Sequence, residues 1–168
     1  MTDTDPSEEL VDVLDDMGQV LETVTRARMR AENLLHRSVF VVVRNDADEL
    51  LVHRRADWKD VWPGAWDIAV GGVVATGEAW DLAASRELIE ELGVAADLEY
   101  LGEGEYADES VRELARVYAA RSEGPFQLVD DEIVEVVWLP MSELRVWVAE
   151  HHVCPDSLAL VLPRLDAA

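Results

Sequence analysis

Cysteine is almost absent from this sequence of 168 residues, and long apolar runs are missing. The single cysteine, Cys154, excludes an internal disulfide and a cysteine-based metal cluster. The longest apolar stretches, such as residues 39–43, fall far short of the roughly 20 residues that cross a membrane. The first residues show no basic start followed by an apolar segment, so no secretory signal is visible. We therefore expect a soluble, cytoplasmic protein with no membrane partner.

Positive charge is scarce as well. The chain has 36 acidic and 14 basic residues, a formal net charge of −22, and Lys59 is its only lysine. A surface of this sign repels the nucleic-acid backbone, so we expect no nucleic-acid partner. Hydrophobic residues make up 49% of the chain, which is typical of a globular protein, and the length suits a single domain.

The few basic residues are concentrated early in the chain. Between Arg26 and Lys59, eight basic residues outnumber five acidic ones. Because arginine and lysine bind phosphate groups, this segment is a candidate phosphate-binding patch. The alternative is surface pairing with the many acids. The candidate substrate-binding residues are Arg37, Arg54, Arg55 and Lys59, together with Trp66, whose ring would either stack on a base or pack in the core.

The pattern of apolar and turn residues predicts mixed helix and strand structure. Two hairpins are expected, one joining residues 10–14 to 19–25 and one joining 37–43 to 49–54. Residues 58–66 should form a loop, and further strands are expected at 67–74, 98–102, 111–121 and 133–139. The predicted helices are 79–92, 141–150 and 155–165, the first ended by Gly93 and the last capped by Asp156 or Ser157. This order favours an α+β fold, with a flexible N-terminus at 1–7 and one domain at 8–168.

The predicted helix at 79–92 carries a group of carboxylates. At about 100° per residue, Glu87, Glu90 and Glu91 fall on one arc. The opposite arc, expected to face the core, holds Leu82, Leu88, Ile89 and Leu92. Like charges at this spacing repel, so Arg86 would neutralise one carboxylate and a hard cation such as Mg²⁺ would neutralise the others. The alternative is a solvated acidic helix face.

The segment 72–94 resembles the signature of the Nudix hydrolase family. That signature is glycine, five residues, glutamate, seven residues, Arg-Glu, an aliphatic residue, any residue, Glu-Glu, any residue, glycine and an aliphatic residue. Every specified position is filled, from Gly72 and Glu78 to Gly93 and Val94. The resemblance implies the Nudix fold, an αβα sandwich around a mixed β-sheet, here preceded by an N-terminal β-hairpin. It also implies hydrolysis of a diphosphate linkage with Mg²⁺ or Mn²⁺.

The resemblance also implies roles for individual residues. Glu90 and Glu91 match the principal metal ligands, Glu87 matches a glutamate that binds a metal or its water, and the Gly71 carbonyl matches a backbone ligand. Arg86 and Glu78 match a supporting pair that orients the helix carboxylates. The general base is Glu87 or a residue of a later acidic loop. The loop candidates are Asp130, Asp131, Glu132 and Glu135, of which we favour Glu132.

Residues upstream of the box resemble isopentenyl-diphosphate isomerases and the hydrolases related to them. The likeness rests on residues 36–37, 50–55 and 63–67 and on Lys59. In that alignment Val70 stands where an isomerase has its catalytic cysteine and Gly72 where it has a metal-binding histidine. His36 matches another isomerase ligand, but its partners are missing, so we interpret it as structural or substrate-contacting. We therefore favour a hydrolase of a small diphosphate, such as a nucleoside diphosphate derivative. An isomerase-like enzyme and a non-catalytic nucleotide-binding sensor are alternatives, and a homodimer is left open.

Overall fold

A computed structural model describes residues 5–128 and 131–165. The strands are β1 Leu10–Leu14, β2 Val20–Thr25, β3 His36–Arg44, β4 Glu49–Arg55, β5 Trp66–Asp67, β6 Val70–Val73, β7 Glu99–Ala107, β8 Arg112–Arg121 and β9 Ile133–Pro140. The helices are α1 Arg26–Ala31, α2 Trp80–Leu92, α3 Leu144–Glu150, α4 Pro155–Leu160 and α5 Leu162–Leu165. No helix in these ranges is both long enough and apolar enough to cross a membrane.

The N-terminal hairpin predicted from the sequence is present. Strands β1 and β2 pair antiparallel, and the Asp15 carboxylate accepts backbone N–H bonds from Met17 and Gln19 across the turn. The part of the expected flexible N-terminus that is described, from Asp5, includes a 3₁₀ turn at Pro6–Glu8. Helix α1 was not predicted; Thr25 caps it by accepting the N–H of Arg28. The N-terminal region is therefore held against the rest of the domain through β1 and α1.

Strand β3 is the centre of the sheet. It pairs antiparallel with β6 and parallel with β8, which in turn pairs antiparallel with β7. Strand β4 pairs antiparallel with β5 and β9. The predicted hairpin of β3 and β4 exists, but the two strands pair at Arg44 and Leu50, beside the turn, and then diverge. The predicted strand at 67–74 is divided into β5 and β6, with a break at residues 68–69.

Helices cover both faces of this mixed sheet, which confirms the predicted αβα sandwich. Along β3, Val39, Val41 and Val43 pack towards α2, while Phe40 and Val42 pack towards α4 and α5. This alternation is the two-residue period of a strand buried on both sides. The predicted helix 155–165 is two short helices, and no side chain caps α4, because Asp156 and Ser157 point into the interior instead.

Helix α2 buries a different face from the one that its apolar residues predict. Leu88 and Leu92 are buried as expected, but Leu82 and Ile89 are 62% and 50% exposed. The buried face also includes two glutamates, and its full membership is Ala83, Ala84, Glu87, Leu88, Glu91 and Leu92. The face of α2 that was predicted to be buried is therefore wrong in part. Where α2 meets the sheet, the side chains of Glu87 and Glu91 are buried and those of Leu82 and Ile89 are not. Gly93 ends the helix with a positive φ of 69°, as expected.

We predict that Leu88→Ala lowers the free energy of unfolding by about 2–5 kcal/mol, because it removes a side chain that is 1% exposed in the core under α2. The matched control is Leu82→Ala on the same helix, where the side chain is 62% exposed. It should change stability by less than about 0.5 kcal/mol. Denaturant unfolding of both variants measures the difference, and equal losses would contradict this orientation of α2.

Candidate active site

Two adjacent glycines in β6 allow close contacts with two different elements. A Cβ atom at Gly71 would stand 1.9 Å from the carbonyl oxygen of Val39, so the backbone of β3 leaves no space for a side chain there. A Cβ atom at Gly72 would stand 2.5 Å from Oε1 of Glu87 on α2, so a side chain there would require the carboxylate to move. The Glu87 carboxylate therefore lies against the backbone of β6 at Gly72, next to Gly71.

Arg86 binds the carboxylates around the start and middle of α2. Its Nε and Nη2 atoms donate to the two carboxylate oxygens of Glu78 at 2.9 and 3.1 Å. Its Nη1 donates to Glu87 at 2.6 Å and Glu90 at 2.9 Å, and Nη2 also donates to the Val73 carbonyl at 3.1 Å. Although burial acts in the opposite direction, these Arg86 bonds hold the pKa of Glu78 below its usual value. The predicted pairing of Arg86 with Glu78 is therefore present in the fold.

Glu87 and Glu91 are buried carboxyl groups one turn apart. Burial raises the pKa of Glu87 to about 7, although Arg86 acts against the shift. Burial and the neighbouring Glu87 raise the pKa of Glu91 well above its usual value. Oε2 of Glu91 is buried and has no hydrogen-bond partner among the described residues. Arg86 therefore compensates the Glu87 carboxylate in part, whereas one oxygen of Glu91 lacks a hydrogen-bond donor among the described residues.

The chemistry of these residues fits a divalent cation. Carboxylate and carbonyl oxygens are the ligands that Mg²⁺ and Mn²⁺ prefer. The positive charge of such a cation would offset the free-energy cost of burying both carboxylates. Within residues 5–128 and 131–165, no three His, Cys, Asp or Glu side chains already converge on a point where a metal would fit. Arg86 instead engages Glu87 and Glu90. Side-chain movement away from Arg86 would therefore have to accompany metal binding.

The box carboxylates line a cleft of about 440 Å³, which is in the size range of small-molecule sites. Its opposite wall carries Glu132, whose carboxylate forms a short ion pair with Lys59. A backbone bond of 2.8 Å, from the Ala56 N–H to the Glu132 carbonyl, connects the two loops. The cleft lining is Asp5, Pro6, Glu9, Arg26, Lys59, Gly71, Gly72, Arg86, Glu87, Glu90, Glu91 and Glu132.

Two of the other loop candidates for a general base, Glu135 and Asp131, do not share this cleft. Glu135 lies on β9, where its carboxylate is 3.6 Å from Nε of Arg54. Asp131 adopts a positive φ of 57° and is not part of the cleft lining, and Asp130 lies outside the described residues. Of the two candidates that the structure brings together, Glu87 is on the helix wall and Glu132 is on the opposite wall.

The predicted substrate-binding residues divide into two groups. Lys59 lines the cleft, and Arg55 lines a second cavity next to it. Arg54, Arg37 and Trp66 line neither. Arg54 reaches Asp57 and Glu135 on the surface, and Trp66 packs edge-on against Trp147 and His151. Arg37 donates to Asp12 at 3.0 Å and to the Glu78 carbonyl at 3.4 Å, which supports the loop before α2.

Two contributions to this region go beyond the candidate substrate-binding residues. Arg26, at the start of α1, belongs to the predicted basic segment; it lines the cleft and pairs with Glu9 at 3.2 Å. The second cavity contains buried charged groups that no motif identified, among them Asp67 and Glu113. One signal was available for Glu113. Along β8, Glu113, Ala115 and Val117 alternate inwards, and a glutamate in that series is unusual for a core position.

His36 is a buried structural residue. Its ring is 1% exposed and Nδ1 is 2.9 Å from the Leu34 carbonyl oxygen. Burial lowers its pKa to about 4. It lines neither the cleft nor the second cavity, so it does not contact the place where a substrate would lie.

Comparison with known proteins shows the family of the chain. Residues 34–157 match the NUDIX domain family. The uncharacterised Nudix hydrolase YfcD of Escherichia coli K12 is 37% identical over 153 residues, which cover 90% of this chain and 84% of YfcD. The chain therefore belongs to the Nudix family, and it is a Nudix-type hydrolase. The family is one whose members hydrolyse nucleoside diphosphate derivatives. The closer likeness to isomerase-related hydrolases stays a prediction.

Solved structures show the same fold. The crystal structure of DR0079 from Deinococcus radiodurans superposes with a TM-score of 0.78 at 26% identity, covering 92% of this chain and 98% of that one. The NUDIX domain of Shewanella oneidensis NrtR, crystallised with ADP ribose, has a TM-score of 0.64 at 19% identity, covering 86% and 98%. The second likeness extends to the fold alone.

We predict that His36 makes the protein less stable in acid. Because burial lowers its pKa from 6.5 to about 4, the neutral form stabilises the fold above pH 6.5, and this contribution is lost as pH falls towards 4. The loss is on the order of 3 kcal/mol. His36→Gln should flatten unfolding free energy against pH across that interval. The control is His151→Gln, because His151 also contacts a backbone carbonyl, at 2.8 Å, but is exposed. A slope unchanged by His36→Gln would contradict this assignment.

Proposed function

We propose that this protein hydrolyses a diphosphate linkage in a nucleoside diphosphate derivative or a related small diphosphate, and that it depends on Mg²⁺ or Mn²⁺. The observation that carries the proposal is the pair of buried carboxyls, Glu87 and Glu91, one of them with an unpartnered oxygen, in a cleft that also contains Lys59 and Arg26. Family membership supports the hydrolase class. The NrtR domain crystallised with ADP ribose is consistent with a nucleotide-like ligand for this fold.

The proposed metal ligands are the side chains of Glu87, Glu90 and Glu91 and the carbonyl of Gly71. A divalent cation held there would neutralise phosphate charge and lower the pKa of a bound water. Arg86 orients the carboxylates, and Glu78 holds Arg86 in place through two parallel bonds.

The remaining roles fall to residues on the other wall of the cleft. Lys59 and Arg26 supply positive charge for the phosphate oxygens, since phosphoryl transfer depends mainly on positioning and charge neutralisation. Glu132 takes the proton of the attacking water as general base. Its ion pair with Lys59 keeps both side chains at the cleft. Residues 8–168 would then act as a single catalytic domain.

The site supports hydrolysis over isomerisation. Gly72 stands where an isomerase has its metal-binding histidine, and it has no side chain. Val70, at the position of the isomerase cysteine, is 2% exposed and packs in the core under α2. The lone Cys154 is buried before α4. Positions 70 and 72 therefore lack the thiol and the imidazole that an isomerase has there.

We predict that Glu91→Gln reduces Mg²⁺-dependent hydrolysis by more than about 100-fold, because loss of a direct ligand should exceed the loss seen for residues that only support ligands. The assay screens a panel of diphosphates and identifies the products by mass. The control is Glu99→Gln, an exposed glutamate at the start of β7. Mg²⁺ should also raise the melting temperature of the unmodified protein but not of Glu91→Gln. Equal turnover with and without a chelator would refute metal dependence, and ligand binding without turnover would favour a sensor.

We predict that Glu132→Gln lowers kcat by about 10²–10⁴-fold, because it removes the proposed general base and keeps the size of the side chain. The control is Glu135→Gln, three residues later, whose carboxylate lies outside the cleft beside Arg54. It should leave kcat unchanged. If Glu132→Gln keeps the kcat of the unmodified protein, the role of base passes to Glu87.

A further inference from the structure

The segment that leads into α2 is attached to the N-terminal hairpin. We refer to residues 74–79, between β6 and α2, as the box loop. The backbone of β1 holds this loop at two points. Val11 forms a bridge with Ala75, and the N–H of Thr76 donates to the Leu10 carbonyl at 2.9 Å. The hairpin and the box loop are therefore joined before any side chain is considered.

One buried carboxylate adds side-chain bonds to this junction. Asp12, on β1, is 8% exposed. Its Oδ1 accepts the hydroxyl of Thr76 at 2.8 Å and that of Thr23, on β2, at 3.0 Å. Its Oδ2 accepts the backbone N–H of Gly77 at 3.4 Å. Although burial acts in the opposite direction, these bonds hold the pKa of Asp12 below its usual value, so the group is ionised at pH 7.

Arg37 joins the same cluster from β3. Its Nη2 donates to Oδ2 of Asp12 at 3.0 Å, and its Nη1 donates to the Glu78 carbonyl at 3.4 Å. The guanidinium also lies 5.4 Å from the ring centre of Trp80, the first residue of α2. We define Asp12 and Arg37 as the loop anchor. It bonds three consecutive residues of the box loop, namely Thr76, Gly77 and Glu78.

The box loop carries Glu78, which is one of the partners of Arg86. Oε2 of Glu78 also accepts the backbone N–H of Ala75 at 3.0 Å, so this side chain is fixed to the loop itself. Arg86 binds Glu78 on one side and the carboxylates of Glu87 and Glu90 on the other. If Glu87 and Glu90 bind a cation, Arg86 gives them up and keeps Glu78 as its carboxylate partner. The position of Glu78 therefore affects how readily the two carboxylates become available.

We propose that Asp12 is a positioning residue for the metal site. By holding the box loop in place it fixes Glu78, and Glu78 then keeps Arg86 away from the carboxylates that take the cation. Asp12 does not line the cleft, so it acts through the loop and not by touching a ligand. Strand β1 precedes residues 34–157, so this support comes from outside the region that matches the family. The inference rests on the proposed function only in placing a cation at these carboxyls.

The alternative is that the loop anchor only stabilises the fold. Its loss would then lower the melting temperature and leave the affinity for a divalent cation unchanged. The test therefore measures cation binding by the full chain without any substrate, so that it does not depend on turnover. Mn²⁺ is titrated into each variant, and the electron paramagnetic resonance signal of free Mn²⁺ gives the bound fraction. Thermal unfolding verifies that each variant folds.

Asp12→Asn should weaken Mn²⁺ binding by about 3–10-fold, less than the roughly 10–100-fold loss that follows when a partner bonded directly to a metal ligand is removed. The amide keeps the size of the side chain, but it removes the charge that pairs with Arg37 and one of the two accepting oxygens. The matched control is Asp15→Asn in the same hairpin, whose carboxylate accepts two backbone N–H bonds within the turn. It should keep the Mn²⁺ affinity of the unmodified protein.

A second pair of variants applies if Asp12→Asn does not fold. Thr76 and Thr23 are both exposed, and each donates one hydroxyl bond to the same oxygen of Asp12. Thr76→Val removes the bond that reaches the box loop, whereas Thr23→Val removes the bond that stays within the hairpin. Thr76→Val should weaken Mn²⁺ binding by about two- to threefold, since one neutral hydrogen bond is lost and the others remain. Thr23→Val should leave it unchanged.

Equal Mn²⁺ affinity in Asp12→Asn and the unmodified protein would overturn the proposal, and so would equal losses in Thr76→Val and Thr23→Val. Failure of the proposed function has a different signature. If the unmodified protein binds Mn²⁺ and Asp12→Asn binds it more weakly, but no diphosphate is hydrolysed, the positioning role stands and the hydrolase proposal fails. If the unmodified protein binds no Mn²⁺, the cation site is refuted and the positioning role with it.

Discussion

The arrangement of carboxylates at the candidate active site depends on one guanidinium group. Arg86 holds Glu78, Glu87 and Glu90 through four hydrogen bonds and also reaches the carbonyl of Val73. Without this positive charge, the repulsion between carboxylates on successive turns would oppose the burial of α2 against β6. Arg86 cannot serve every carboxyl, however, and Glu91 keeps an oxygen with no partner among the described residues. Charge compensation is therefore incomplete, and this deficit is what makes the helix suitable for a cation.

The glycine at 72 allows the Glu87 carboxylate to lie against the backbone of β6. The carboxyls of Glu87 and Glu91 are buried, and burial raises their pKa values. Electrostatic interactions are stronger in buried surroundings, so a charge that meets these carboxyls has a larger effect than it would have on the surface.

The sequence was sufficient to predict the elements that local patterns define. The box helix, its end at Gly93 and the N-terminal hairpin follow from spacing and turn residues. Features decided by distant contacts were not predictable. Lys59 and Glu132 are 73 positions apart, and their ion pair depends on how two loops meet. The strand register also shifts between Arg54 and Arg55, so alternation along β4 could not tell which arginine faces inwards. The exposure of Leu82 shows that an amphipathic wheel cannot orient a helix whose buried face includes carboxylates.

The divergence of β3 from β4 leaves a gap in the hydrogen-bond ladder of the sheet. The ladder between these two strands stops at Arg44 and Leu50. Beyond that point the two strands are joined by side-chain packing, since Phe40 and Val42 of β3 share one apolar cluster with Leu50 and Val52 of β4. The distance between α2 and the loops that carry Lys59 and Glu132 is therefore set by the volume of core side chains, so substitutions in this core would be felt at the cleft.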